Sequence, residues 1–380
     1  MKKIIITLAT GMLLTLNANS ISSQLQSKGL IVETKPISLN DSKIQLAILL
    51  DTSGSMQGLI NQVKTEIWQI INELSSAKKN GNKVKIEVAL YEYGKSTISQ
   101  SENFLRMITP LSSDLDILSK ELFKLKTNGG EEWAGAAITS ATNGLQWSKN
   151  PGDLRMVVIA GNESFAQGPL NYQYAITNLS KKDIVLNTIF CGNYNSGKTL
   201  FWRDAANLGN GQYMNIDSNQ EIAYFKAPQD SRIIALNDKL NKTYLSYGGR
   251  RGVERKKLQI QQDVNTESMN SSLLVERSIA KASKSYDNSS WDIIDSFKST
   301  GSLSSISEND MPEELKKLNK EDQIAVIKEK EKERKSINKE IEKLKKERTD
   351  YLKTKKTTKT TFGDKFLKST KKLLTLKGFS

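Results

Sequence analysis

Apolar positions along this chain change spacing block by block, and each change of period marks an element. Ile44, Leu46, Ala47, Ile48, Leu49 and Leu50 form a near-continuous apolar run. Such a run predicts a strand covered on both faces, as in the middle of a parallel sheet. Leu59, Ile60, Val63, Ile67, Ile70, Ile71 and Leu74 then recur at helical spacing, which predicts a helix over 59–77. Asn80-Gly81-Asn82 is read as its stop. Further strands are predicted over 84–93, 105–109, 156–160, 184–190 and 212–216. Helices are predicted over 113–125, 133–147, 172–180 and 200–208. Six strands with helices between them imply a doubly wound α/β sheet, whose ligands sit beyond the carboxyl ends of its strands. The loops at Asp51, Asn128 and Asn162 all leave that one edge.

After about Asp230 the strand pattern stops. Residues 237–252 (NDKLNKTYLSYGGRRG) read as a loop-like join, and the sequence to Asp287 as polar and helical. Ser289 to Ile294 suggest a capped helix carrying a packed Trp291. Glu313 to Lys353 is helical and charged. Ile337, Ile341, Leu344 and Tyr351 keep heptad spacing for too short a distance to argue a coiled coil. Lys353 to Lys359 reads as a disordered link, and Phe366, Leu367, Leu373, Leu374 and Leu376 as a small amphipathic end. The expected organisation is a signal peptide over 1–20, a lead-in over 21–40, an α/β domain over 41–226, a charged helical region over 227–352 and a basic tail over 353–380.

Charge sharpens this division. Residues 1–230 hold 22 Lys and Arg against 20 Asp and Glu, whereas residues 231–380 hold 34 against 22. A nearly neutral module is thus followed by a basic one, with nine Lys and one Asp in residues 353–380. At the start, Lys2 and Lys3 precede the apolar run Ile4–Leu16 and the small residues Ala18-Asn19-Ser20, which read as a secretory signal cut after Ser20. An exported chain, periplasmic or secreted, is expected. The sequence has no His, which excludes His-based triads, bases and metal ligands. Its single Cys191 excludes disulfides within one chain and reads as a small buried residue.

The chemistry concentrates where the first apolar run ends, in Asp51-Thr52-Ser53-Gly54-Ser55-Met56. Asp51, Ser53 and Ser55 offer a carboxylate and two hydroxyls, and Gly54 lets the backbone turn tightly. Hard oxygen ligands of this kind suit Mg²⁺. Asp51 to Ser55 equally describe an Asx or Ser turn with a helix N-cap. The D-x-S-x-S pattern at the end of a first buried strand resembles the metal-ion-dependent adhesion site of von Willebrand factor type A (VWA) domains. The resemblance covers about Asp41 to Lys226, and Asp51 to Met56 is its most specific part. It implies a mostly parallel, six-stranded, Rossmann-like sheet whose third strand is an antiparallel edge. It also implies a second and a third ligand loop. Asn128 of Thr127 to Glu132 falls at the second-loop position, and Glu132 matches an acid common in bacterial relatives or caps the next helix. The third loop carries Gly161-Asn162-Glu163 where relatives have an Asp. Asn162 keeps the oxygen but lacks the charge, while Glu163 compensates or faces solvent. With fewer carboxylates, binding in the millimolar range is expected. The whole chain also resembles a group of secreted bacterial VWA proteins with GG-x-E-[YW], AGNE and NTIFCG segments and a later WD-containing helix.

Gly192 to Thr199 fits G-x-x-x-x-G-K-[ST], whose backbone N–H groups would cradle phosphate with Lys198 and Thr199 on phosphate and Mg²⁺. Against it stand its position after the fifth strand, the lack of an acidic second Mg²⁺ strand, and the export signal. The reading is therefore a non-enzymatic binding protein of adhesion type. Its resemblance implies a cofactor, Mg²⁺ or another divalent cation, and a protein ligand offering an acidic side chain. The alternative is a phosphate-binding or NTP-hydrolysing protein using residues 192–199. The basic tail suggests an anionic membrane or envelope surface as a further partner; nucleic acid is not expected.

Overall fold

The computed structural model describes residues 42–75, 77–216, 226–269, 271–283, 286–355 and 362–380. The expected signal peptide and lead-in lie outside these residues. So does most of the link expected over 353–359, whose first three residues continue a helix.

Six strands form one sheet: β1 Lys43–Asp51, β2 Lys85–Tyr93, β3 Leu105–Ser112, β4 Leu154–Gly161, β5 Val185–Cys191 and β6 Tyr213–Ile216. Their spatial order is β3-β2-β1-β4-β5-β6. All neighbours pair in parallel except β2 and β3, which run antiparallel at the edge. The helices are α1 Ile60–Ser75, α2 Leu115–Lys124, α3 Ala134–Gly144, α4 Tyr172–Lys181, α5 Tyr194–Thr199 and α6 Trp202–Leu208. Asn80-Gly81-Asn82 does not cap α1. Asn80 and Gly81, both at positive φ, turn a two-residue ribbon between Lys78–Lys79 and Asn82–Lys83. An Asn-Gly pair favours that hairpin turn because both residues tolerate left-handed backbone.

Alternation along β1 divides the interior. Ile44, Leu46, Ile48 and Leu50 join one buried cluster, and Ala47 and Leu49 join the other. Small Ala134, Ala137 and Ala141 let α3 lie close on the second face, beside α4 and α6.

The first face carries two helical layers. α1 sits on the sheet, and most of its described side chains are buried, with Val63, Ile67, Trp68 and Ile71 in the core. A helix apolar or covered on every side belongs inside a larger assembly. The C-terminal helices are α7 Asp230–Lys242, α8 Gly249–Met269, α9 Ser271–Ala282, α10 Ile293–Thr300, the one-turn α11 Glu313–Lys316, α12 Lys320–Lys355 and α13 Phe362–Leu376; α9 and α13 cover α1, while α10 and α11 pack in a separate apolar cluster with Leu245 and Ile327. Residues 237–242, read as part of a loop-like join, instead continue α7. Their Leu240 is buried, a helical contact that the Asn- and Lys-rich composition hides. Leu273, Val275 and Ile279 of α9, Ile337 and Ile341 of α12 and Phe366 of α13 share one apolar cluster with α1 and β1.

Buried ions fasten the layers. Arg277 of α9 donates to Asp116 of α2 at 2.8 Å and to Asp263 of α8 at 2.7 Å. Lys281 reaches Asp263 at 2.6 Å. Arg334 of α12 bridges Asp292 and Asp295 at 2.7 and 2.9 Å. Asp292 is the N-cap of α10, accepting from the Asp295 N–H, and Trp291 before it is buried as its sequence suggested. Among the described residues no helix is long and apolar enough to cross a membrane.

Candidate metal centre

β1 delivers Asp51 at its carboxyl end, in the middle of the sheet, where the parallel neighbours β2 and β4 also end. Beyond Asp51 the backbone turns through the short helical segment Gly54–Met56. Asp51 is fully buried. Its Oδ1 accepts the Ser53 N–H at 2.7 Å, the Asx turn that its sequence allows. Its Oδ2 is buried with no hydrogen-bond partner.

The oxygens continue outward in a line. Ser53 Oγ lies 2.9 Å from Ser55 Oγ, and Ser55 Oγ donates to Asn162 Oδ1 at 2.9 Å. The first and third predicted loops therefore meet through their side chains. The second loop is tied to the first by its backbone, the Asn128 N–H donating to Thr52 O at 2.8 Å. The side-chain oxygen of Asn128 accepts from Ser96 Oγ at 2.6 Å. Glu132 stands on the other flank of Asp51. A Cβ added to Gly94 would lie 2.8 Å from Asp51 Oδ1 and 3.0 Å from Glu132 Cγ. Trp133, the N-cap residue of α3, makes no side-chain cap hydrogen bond, and the Ser53 side chain hydrogen-bonds the Glu132 carboxylate. Glu163 is exposed, and its carbonyl accepts the Trp202 indole N–H at 2.7 Å.

Burial pushes the Asp51 carboxyl up to about 7 against hydrogen bonds from Ser53, and the nearby Glu132 adds to the rise. The Asn162 backbone also favours the ionised form, yet Oδ2 stays without a partner. Glu132 is likewise pushed up to about 7, first by burial and then by the charge of Glu163. Lys95 and Arg106 both pair with the buried Glu92 behind the loop instead. A partnerless buried carboxylate oxygen, two hydroxyls and an amide oxygen form a hard-oxygen donor set, so these residues fit a divalent cation. Among the described residues no cluster of three or more His, Cys, Asp or Glu side chains offers an alternative metal site.

Several contributors escaped sequence reasoning. Ser96 holds Asn128, Gln167 Oε1 accepts the Glu132 N–H at 3.2 Å, and Trp202 supports the third loop. Gly161 makes the room, since a Cβ there would stand 2.5 Å from the Tyr93 hydroxyl and 3.0 Å from Asp51 Oδ2. A Gly directly after an apolar strand, as at Gly94 and Gly161, was the available signal.

The Gly192–Thr199 motif folds differently from a phosphate loop. Residues 194–199 are α5, and Asn193 Oδ1 accepts the N–H groups of Asn195 and Ser196. Lys198 Nζ donates to Asn195 Oδ1 at 3.0 Å and lies over the Tyr194 ring. The N–H groups a phosphate would use are taken by the cap and the helix.

The family profile of the von Willebrand factor type A domain matches residues 45–224. No curated protein matches the chain. Among solved structures, the conserved hypothetical protein BatB from Bacteroides thetaiotaomicron is 17% identical, with 46% of this chain and 90% of that one covered at a TM-score of 0.36. An aerotolerance-related membrane protein from Bacteroides fragilis is 18% identical, with coverage of 46% and 93% and a TM-score of 0.30. Proximal thread matrix protein 1 from the mussel byssus, with a zinc-occupied MIDAS motif, is 13% identical, with coverage of 48% and 44% and a TM-score of 0.34. The family match carries the assignment. Residues 45–224 of this chain form a von Willebrand factor type A domain.

Proposed function

We propose that the domain is a non-enzymatic binding module that holds a divalent cation over Asp51, Ser53 and Ser55 and, through it, an acidic side chain of a partner protein. The observation that carries this reading is the buried Asp51 Oδ2, which has no partner and heads a line of oxygens through Ser53, Ser55 and Asn162. An isolated buried carboxylate is costly, and a cation is the group that relieves it. When bound, the cation would supply a Lewis-acidic site for a carboxylate. Asp51 binds or orients the ion, the two Ser hydroxyls and Asn162 contribute neutral oxygens, and Glu132 supplies charge from the flank. Mg²⁺ or Mn²⁺ suits this oxygen set better than a metal that prefers nitrogen or sulfur. Asn128 is the remaining candidate, once released from Ser96. The export reading from Lys2 to Ser20 would place this binding outside the cytoplasm.

Isothermal titration with Mn²⁺ tests the proposal. The native protein should bind one ion in the millimolar range or tighter, Asp51→Ala should bind none, and Asn162→Asp should bind more tightly by adding a carboxylate. Capture of an envelope protein in Mg²⁺ but not in EDTA would extend it to the partner. Equal Mn²⁺ heats for the native protein and Asp51→Ala would sink the reading.

A further inference from the structure

The end of the sheet opposite the cation site collects the opposite charge. β1 runs from Lys43 to Asp51, so what gathers at Lys43 stands about 26 Å from the site at 3.3 Å per residue. The C-terminal residues join that end. Lys78 and Ser380 exchange both backbone hydrogen bonds at 2.7 Å, and Phe379 is buried beneath Lys79. Lys377 reaches Asp183 at 2.5 Å and Pro151 O at 3.4 Å. The basic tail is therefore no free arm: its last stretch is a docked helix whose end is knitted to the strand starts.

The acids described there are all occupied. Glu87 pairs with Lys43 and Lys85 at 3.1 Å each, and Asp183 pairs with Arg155 and Lys377. Asp153 accepts from the Lys43 N–H and the Ser148 hydroxyl. Lys149, Lys181 and Lys372 are exposed and have no carboxylate partner among the described residues. Beside Lys372 and Lys377 stands Leu376, 73% exposed. At the other end lie Asp51, Glu92, Glu131, Glu132 and Glu163, with Lys95 and Arg106 both spent on Glu92. A molecule so divided turns its basic end to an anionic surface and its acidic end away.

We propose that the strand-start end, with α13, docks on an anionic lipid bilayer, with Leu376 entering the headgroup region and the cation site facing outward. Lysines around an exposed apolar side chain suit a diffuse, two-sided interface of charge and hydrocarbon. Nucleic acid fits less well. Arg155, the guanidinium of this end, is buried and engaged with Asp183, and the uncommitted cations are lysines, point charges without the fork that reads bases.

The full chain is mixed with phosphatidylcholine vesicles with and without phosphatidylglycerol, and binding is read by flotation. Binding should require phosphatidylglycerol and weaken as salt shortens the screening length. The triple variant Lys149→Gln/Lys181→Gln/Lys372→Gln should lose about a hundredfold at low salt, about fivefold per lysine. Its Glu counterpart should lose more. A charge-matched triple on α12, Lys328→Gln/Lys335→Gln/Lys339→Gln, should bind as the native chain does. Leu376→Ser should weaken binding by a step that persists at high salt. Circular dichroism melts confirm that each variant is folded. Equal losses from the two triples would overturn the proposal in favour of undirected net charge. Equal binding to vesicles lacking phosphatidylglycerol would also overturn it. So would a nucleic-acid duplex that competes with vesicles and loses affinity for the first triple.

Discussion

Replacing Asp51 by Asn should make the metal-free protein more stable, which is unusual for a substitution at a binding centre. Burial raises the Asp51 carboxyl from 3.8 to about 7, so its ionised form carries a penalty of about 4 kcal/mol at 1.4 kcal/mol per pH unit. Asn removes that charge and keeps an oxygen for the Ser53 N–H, now 2.7 Å from Oδ1. It leaves an NH₂ donor where Oδ2 has no partner, at a cost of about 1–3 kcal/mol. The net gain in EDTA at pH 8 is about 1–3 kcal/mol, or a melting shift of about 2 °C per kcal/mol. Mg²⁺ at about ten times its dissociation constant should then raise the native protein by about 1.4 kcal/mol and Asp51→Asn by nothing. Two thermal-melt series, in EDTA and across a Mg²⁺ titration, decide it. If Asp51 only shaped a turn, Asn would be equally stable or unstable in both series. A native melting point indifferent to Mg²⁺, or an Asn variant that gains as much as the native protein, refutes the reasoning.

Proton linkage gives a second expectation. Asp51 and Glu132 have raised folded values, so without metal the folded state holds more protons than the unfolded one between about pH 4 and about 7, and stability falls as pH rises through that window. Mg²⁺ must displace the Asp51 proton, so its affinity by calorimetry should fall towards tenfold per pH unit below 7; a flat profile from pH 5 to 8 would contradict this. Gly161→Ala places a Cβ 2.5 Å from the Tyr93 hydroxyl and should cost about 1–3 kcal/mol while weakening Mn²⁺ binding; unchanged melting and unchanged binding would show that the pocket has slack. Arg277→Met takes the guanidinium from Asp116 and Asp263, leaving them Tyr286 and Lys281 as partners, and should cost about 3 kcal/mol in urea unfolding. Burial alone would raise Asp263, but Lys281 and Arg277 hold it well below the usual carboxylate range. In the native protein its contribution is present above the unfolded value near pH 4 and is lost as pH falls further, so the Arg277→Met deficit should shrink in acid.

β1, β2, β4 and β5 were legible because each is rich in apolar residues and bounded by turn residues, whereas β3 and β6 are mixed in polarity, and β1 with Asp51, Ser53 and Ser55 could be read almost residue by residue. Asn162 was named through the family resemblance, as part of a third ligand loop, and the structure sets its oxygen 2.9 Å from Ser55 Oγ. What stayed hidden depended on contacts distant in sequence. Nothing local in Ser96 says that it will hold Asn128, and nothing in Trp202 says that its indole will hold the third loop. Gly192 to Thr199 fits the phosphate-loop pattern in residue type, but its place after the fifth strand spoke against that role, and Asn193 turns its N–H groups into a helix start. The helical half was readable as helices but not as a cover. Its polar composition conceals Leu273 and Ile279, and the periodic Ile337 and the apolar Phe366 show no partner in sequence; all four become a layer only when α1 is beneath them.

That layer sets an order of events during synthesis. α1 follows the Asp51 loop directly, yet the helices over its outer side arrive roughly 200 to 300 residues later in the chain, the long-range wiring that slows folding. Until α9 and α13 have emerged, Trp68 and its neighbours have a sheet on one side and water on the other. A chain still attached to a ribosome or threading through a membrane pore therefore carries the binding loop on an unfinished support. The Asp51 loop gains its full support only after the last helix has been released, so a truncated product would display the motif on an incomplete core.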